Sequence, residues 1–127
     1  EGLSPEFRKT EDSILNDKIN ESEMIGEYII KEYLIDNSID FLYRKKIGDI
    51  YFDFYLPKYR TVIEFDGKQH YEPIPHFGGL ETYNRLKVND KIKSDYCEDN
   101  YIDLIRIRYD QIDRVFEILK ESLKNKI

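Results

Sequence analysis

Asp53 stands between Phe52 and Phe54 in a run, Ile50–Leu56, whose residue types suit a β-strand. Glu64 and Asp66 follow eleven and thirteen residues later in a second such run, Arg60–Asp66, and His70 lies just beyond it. Alternate side chains of a strand share a face, so Glu64 and Asp66 point the same way. If the two runs pair as a hairpin, Asp53 converges on them. Carboxylates among Val62, Ile63 and Phe65 are costly to bury unless a proton or a cation compensates them. A hard divalent ion held by oxygen ligands, Mg²⁺ or another such as Mn²⁺, is the simplest compensation, with Asp53, Glu64 and Asp66 as candidate ligands. Each acid also has a plainer reading: Asp53 and Glu64 as solvent-facing strand residues, and Asp66-Gly67 as a turn.

His70 beside such a cluster titrates near neutral pH and suits proton transfer. Asp90 shares a helical face with Tyr83, Leu86 and Cys97, and an acid in that company wants a partner. The imidazole of His70 would serve, and so would Lys87 or Lys93 on the same helix. Glu27 and Glu32 both adjoin apolar positions of an earlier helix, and periodicity does not choose between them. Lys58, Arg60, Lys68, Lys91 and Lys93 are available to phosphates, and Tyr71 and Phe77 offer rings to bases.

The elements that must hold these residues follow from pattern. Residues 8–21 are polar and aperiodic and read as a flexible lead-in, whereas Met24, Ile25, Tyr28, Ile29, Tyr33 and Leu34 recur at helical spacing over Ser22–Ile35. Asp36-Asn37-Ser38 ends that helix. Three strand-like runs come next, Ile39–Lys46, Ile50–Leu56 and Arg60–Asp66, joined by turn-forming residues that predict an antiparallel meander. A loop with Pro73, Pro75, Gly78 and Gly79 leads to a helix over Glu81–Glu98, a strand over Tyr101–Arg108 and an amphipathic helix carrying Ile112, Val115, Phe116, Leu119 and Leu123. The order α-β-β-β-α-β-α predicts an α/β fold: a mixed central sheet, its last strand reached by a crossover, flanked by helices on both faces.

A chain of 127 residues, 40% hydrophobic and 14% aromatic, can form one domain with a real core. No apolar run reaches membrane-span length, so no membrane partner is expected. The lone cysteine, Cys97, excludes an internal disulfide and suits a reducing compartment. One cysteine and two histidines are too few soft ligands for a structural zinc site. Residues 1–7, Glu-Gly-Leu-Ser-Pro-Glu-Phe, resemble a vector-derived tail, which leaves 22–127 as the folded domain. The net charge of −6 is unevenly spread: residues 1–43 carry 4 basic and 11 acidic side chains, the remainder 16 and 15. There is no strong basic footprint for nucleic acid.

Taken together, Phe52-Asp53-Phe54-Tyr55-Leu56-Pro57, Ile63-Glu64-Phe65-Asp66-Gly67-Lys68-Gln69-His70-Tyr71, Asn89-Asp90-Lys91-Ile92-Lys93 and Leu104-Ile105-Arg106-Ile107-Arg108-Tyr109 resemble the very-short-patch-repair-like endonucleases of the PD-(D/E)xK superfamily. The phage homing-endonuclease branch, with its EDxHD pattern, is the nearest in pattern, and the element order resembles the restriction-endonuclease-like αβββαβ core. The resemblance covers residues 22–120. It implies a Mg²⁺-dependent hydrolase acting on double-stranded DNA, with Asp53 as central metal ligand, His70 as catalytic histidine and Asp90 as its support. It places the leading acid on Glu27, an acidic (D/E)xK position on Glu64, and substrate contacts on Lys68, Gln69 and Tyr71. It further implies the cytoplasm of a bacterium or phage-infected cell, a separate DNA-reading module, and pairing of two copies for double-strand cleavage. A stand-alone nicking, repair or restriction enzyme, or a non-catalytic nucleic-acid-binding domain of the same fold, are the alternatives. The sequence departs from the general motif where Asp66 occupies the lysine position, so the lysine role passes to His70 or a metal-bound water. Zinc-binding residues of the mismatch-repair members are absent.

Overall fold

A computed structural model describes residues 11–126, with side chains from Glu21 onward. Its centre is a strand, β3 (Thr61–Asp66), in which every residue is buried. A strand with no exposed position must have neighbours on both edges and cover on both faces. On one edge lies β2 (Ile50–Leu56), antiparallel, with Phe54 opposite Ile63 and Leu56 opposite Thr61. On the other lies β4 (Asp103–Arg108), parallel, pairing in register from Thr61↔Asp103 to Asp66↔Arg108. An outer strand, β1 (Leu42–Ile47), pairs antiparallel with β2, giving the order β1-β2-β3-β4. Gly48, at φ 61°, makes the tight turn between β1 and β2.

Parallel pairing of β3 with β4 requires a crossover, supplied by α2 (Gly79–Asp99). Cys97 and Tyr96 of this helix pack with Phe52, Val62, Ile102 and Leu104 on one face of the sheet. The other face is covered by α1 (Glu11–Asp36) and α3 (Val115–Leu123), whose Ile30, Leu34, Val115, Leu119 and Leu123 meet Phe54, Leu56, Ile63, Phe65 and Ile107. The chain is therefore an α/β protein with a four-stranded mixed sheet between helical layers, in the element order the sequence predicts. Among the described residues, no helix is long and apolar enough to cross a membrane.

The boundaries differ at several points. Helix α1 begins at Glu11, not Ser22, so residues 11–21 are helical and not a loose lead-in. They have no apolar stripe, but they also contain no Gly or Pro, and nothing stops an already nucleated helix from extending. The expected tail over residues 1–7 lies outside the described residues. Strand β4 starts at Asp103 because Tyr101 takes a left-handed conformation, φ 56°. Residues Tyr109–Arg114 form a 3-10 turn before α3, so Ile112 belongs to that turn.

Candidate active site

The pairing of β2 is interrupted at Asp53 on its β1 side and ends before Asp53 on its β3 side. Toward β1, partners run 42–55, 43–54, 45–52, 46–51 and 47–50, passing over Arg44 and Asp53, and Arg44 sits at φ 53°. Toward β3, pairing ends at Phe54↔Ile63. In place of the next ladder bonds, the Asp53 N–H donates to Glu64 Oε2 at 2.6 Å, and the Phe65 N–H donates to Asp53 Oδ2 at 2.9 Å. Two carboxylates thus substitute for two backbone carbonyls where the strands part. The irregularity also breaks the alternation of β2: Phe52 packs on the α2 face and Phe54 on the α1/α3 face, although they are two residues apart.

Opposite this split, α1 comes in closely because residue 26 is glycine; a side chain there would collide with the Phe65 ring. That approach brings Glu23 and Glu27, one helical turn apart, to a cavity of about 440 Å³ lined also by Arg44, Tyr51, Phe52, Asp53 and Lys93. Glu27 accepts from the Tyr43 hydroxyl and lies 3.7 Å from Arg44 Nη2, while Glu32 is exposed on the far side of the helix. Glu64, 3% exposed, is paired with the Lys93 ammonium. Four carboxylates therefore share two cations, and the deficit shows at Asp53 and Glu23. Burial, then the Glu64 charge, pushes Asp53 up to about 8, against the pull of the Phe65 N–H and Lys93. Burial likewise raises Glu23, assisted by Glu27 and Asp66 and opposed by Gln69 and His70. Asp53, with Glu23 and Glu27 nearby, is an oxygen donor short of positive charge, the donor chemistry of a hard divalent cation, while Glu64 beside it is held by Lys93.

Asp66 belongs to a different group. His70 ends a 3-10 turn, Lys68–His70, and its Nδ1 lies 3.1 Å from Asp90 Oδ2. Arg106 of β4 reaches Asp66 Oδ2 at 3.2 Å, Asp90 Oδ1 at 3.4 Å and the Asp90 carbonyl at 2.8 Å. The Tyr71 hydroxyl donates to Asp66 Oδ2 at 3.0 Å. Burial depresses the His70 imidazole, but the Asp90 hydrogen bond and the charges of Asp66, Asp90 and Glu23 outweigh it and hold it above its ordinary value. Burial raises Asp90, and here His70, Arg106 and Lys87 outweigh burial and hold its carboxyl low. His70 and Asp90 line a second cavity of about 390 Å³, which shares Tyr51 and Lys93 with the first.

Asp66, His70 and Asp90 place one ligand atom each within 4.8 Å of one another, and so could hold a metal ion. Arg106 already pairs with both carboxylates there, and His70 hydrogen-bonds to Asp90. Of the three candidate ligands Asp53, Glu64 and Asp66, Asp53 and Glu64 meet at the strand split, whereas Asp66 is grouped with His70 and Asp90. The cause is that Arg106 and Tyr71 hold Asp66 on the His70 side.

Of the expected substrate contacts, Lys68 is exposed and pairs with Glu72 at 3.4 Å. The Tyr71 ring is half-buried between Arg108, 4.2 Å from its centroid, and Lys87, at 5.1 Å. Gln69 is buried, 7% exposed, and its Nε2 donates to Glu23. Three participants escape the sequence reading: Glu23, Lys93 as the partner of Glu64, and Arg106. Lys93 and Arg106 carry a faint signal, since Lys93 is one turn beyond Asp90 and parallel pairing sets Arg106 opposite Glu64.

No protein-family model matches the chain, and no solved structure matches it. The chain is similar to "Uncharacterized protein 307L" of Invertebrate iridescent virus 6, at 38% identity over 58 residues, 45% of this chain and 29% of the viral protein. The chain therefore spans less than a third of that relative's length.

Proposed function

We propose that this domain is the catalytic part of a metal-dependent DNA endonuclease of the very-short-patch-repair-like, EDxHD type, built on a restriction-endonuclease-like core. The observation that carries the reading is the strand split at Asp53. There Asp53, on the wall of a cleft, and Glu64, buried beside it, replace backbone bonds with carboxylates, and the adjoining cavity is lined by a His–Asp pair. Asp53 and Glu64, with Glu27 across the cleft, would hold Mg²⁺ or Mn²⁺. Such an ion supplies charge that stabilises a phosphate becoming more negative.

The chain's own groups divide the remaining work. Asp90 fixes His70 through Nδ1, leaving Nε2 as the nitrogen not engaged with it. The raised imidazole pKa favours its protonated form, so His70 acts as general acid toward the departing oxygen of the phosphodiester. Lys93 borders both cavities and takes the lysine role that Asp66 denies to the (D/E)xK position, placing an ammonium beside the scissile phosphate. Arg106 keeps Asp66 and Asp90 in place. A separate DNA-reading module and pairing of two copies belong to this proposal as well.

Nicking of supercoiled plasmid in Mg²⁺ or Mn²⁺, at high protein and low salt, tests the reading. Wild-type chain should nick, and Asp53→Asn and His70→Ala should each lose at least about 100-fold in rate. Nicking that survives both substitutions would sink the assigned site. Absence of cleavage in every divalent metal would favour the non-catalytic binding domain.

A further inference from the structure

The cavity of about 390 Å³ beside His70 and Asp90 has more wall than the proposed chemistry uses. One side is formed by Asp49, Ile50 and Tyr51, where the chain turns from β1 into β2, and the other by Leu86, Asn89 and Ile92 of α2. Leu86, Asn89 and Lys93 stand at i, i+3 and i+7, so one helical face presents an apolar group, an amide and an ammonium in turn. Large apolar side chains lie open on both sides: Tyr51 is 62% exposed and Ile92 50%. A cavity of this size, apolar with a few polar groups, suits a small organic group. Lys93 borders the cleft at Asp53 as well, and so puts a cation on the margin that the two cavities share. Asp90 is engaged by His70 and Arg106, which leaves Asn89 and Asp49 as the polar groups facing an occupant. The Asn89 amide offers both donors and an acceptor, whereas the Asp49 carboxylate only accepts. A flat apolar ring with a hydrogen-bonding edge, joined to a phosphate, answers all of these groups.

We propose that this cavity receives one nucleobase unstacked from the DNA strand, lying against Tyr51 and Ile92 with its phosphate toward Lys93. Asn89 and Asp49 then favour a base bearing an exocyclic amino group, since that group donates to both side-chain oxygens. The inference rests on the nucleic-acid substrate of the proposed function but not on cleavage. Extruding a base from intact duplex costs pairing and stacking, and a base already unpaired costs least, so DNA with one unpaired nucleotide is the probe.

Fluorescence anisotropy of end-labelled hairpin duplexes in Ca²⁺ at low salt tests it, with one duplex fully paired and three carrying a single bulged A, C or T. Wild-type chain should bind bulged A or C about 10-fold more tightly than the paired duplex, and more tightly than bulged T. Tyr51→Ala should remove the advantage of the bulge, and Asn89→Ala should keep it but lose the preference for A and C over T. Both side chains are exposed, so both variants should fold. Lys45→Gln, on the outer strand, should weaken all four duplexes alike. Equal binding of the four duplexes by wild type would overturn the proposal. An advantage kept in full by Tyr51→Ala would overturn it too, and assign the preference to easier bending at the bulge. Displacement of the bulged-A duplex by dAMP at a concentration near that duplex's own Kd would overturn the strand as the source of the base. Plasmid nicking without any preference for a bulge would sink the base pocket and leave the nuclease reading intact. A Tyr51-dependent preference in a chain that nicks nothing supports the pocket and favours the non-catalytic binding domain.

Discussion

Asp53 faces two demands that pull its ionisation apart. Without a cation it is held near pKa 8, against an ordinary 3.8, by burial and by Glu64. The unfolded carboxylate ionises from about pH 4 while the folded one keeps its proton, so stability falls as pH rises from about 4 to about 8. Asp53→Asn removes that fall. In EDTA near neutral pH the variant should be more stable than wild type by roughly 2 kcal/mol, read by urea unfolding. Millimolar Mg²⁺ should stabilise wild type more than the variant; equal gains in both would sink Asp53 as a ligand. His70 and Asp90 have the opposite signs. The raised imidazole stabilises the fold below about pH 6.5, an effect lost as pH climbs through its folded value. The lowered carboxyl contributes above about pH 4, an effect lost as pH drops through its folded value. Asp90→Asn should therefore cost about 1–3 kcal/mol between these limits and less in alkali, where Arg106 remains charged beside it and His70 does not. A cost that does not vary with pH would show that the pair is not ionic.

At the scale of elements, the cleft depends on how closely α1 lies against β3. A helix-interior glycine costs about 1 kcal/mol relative to alanine, yet residue 26 is glycine where the Phe65 ring, 5% exposed, packs against the helix. Gly26→Ala sets the propensity gain against overpacking of about 1–3 kcal/mol, and the ring has no room to yield. The variant should melt a few degrees lower and bind Mn²⁺ more weakly, because Glu23 and Glu27 retreat with the helix. A higher melting temperature would show that the ring moves aside. This packing explains which parts of the site were legible in sequence. Residue types and turn chemistry gave β2 and β3, helical spacing marked Asp90 as an acid wanting a partner, and the family resemblance paired it with His70. The break at Asp53 was not legible, because it needs Arg44 in a left-handed conformation and carboxylates standing in for carbonyls. Glu23 was hidden for a similar reason: its partner, Gln69, is 46 residues away and reaches it only after Gly67 has cleared the space.

For the whole molecule, charge sets how the domain meets DNA. A net −6 with an acidic cleft opposes duplex DNA until divalent cations enter. The one concentrated basic run near the site is Arg44-Lys45-Lys46 on β1, the outer strand, where all three residues are exposed. Lys93 at the cleft, Arg106 beside Asp90, and Lys87 and Arg108 around Tyr71 are further cations near the two cavities. These groups can meet roughly three to four phosphates at once, which predicts a slope of log affinity against log salt of about −3 to −4. Fluorescence anisotropy with a short duplex in Ca²⁺ would read that slope, and affinity at physiological salt should be no tighter than about 10 μM. Substituting Lys45 and Lys46 by Gln should flatten the slope by about 2 without altering the metal count. A slope near −8 with nanomolar affinity would mean that this domain reads DNA by itself, and the case for a separate recognition module would then be lost.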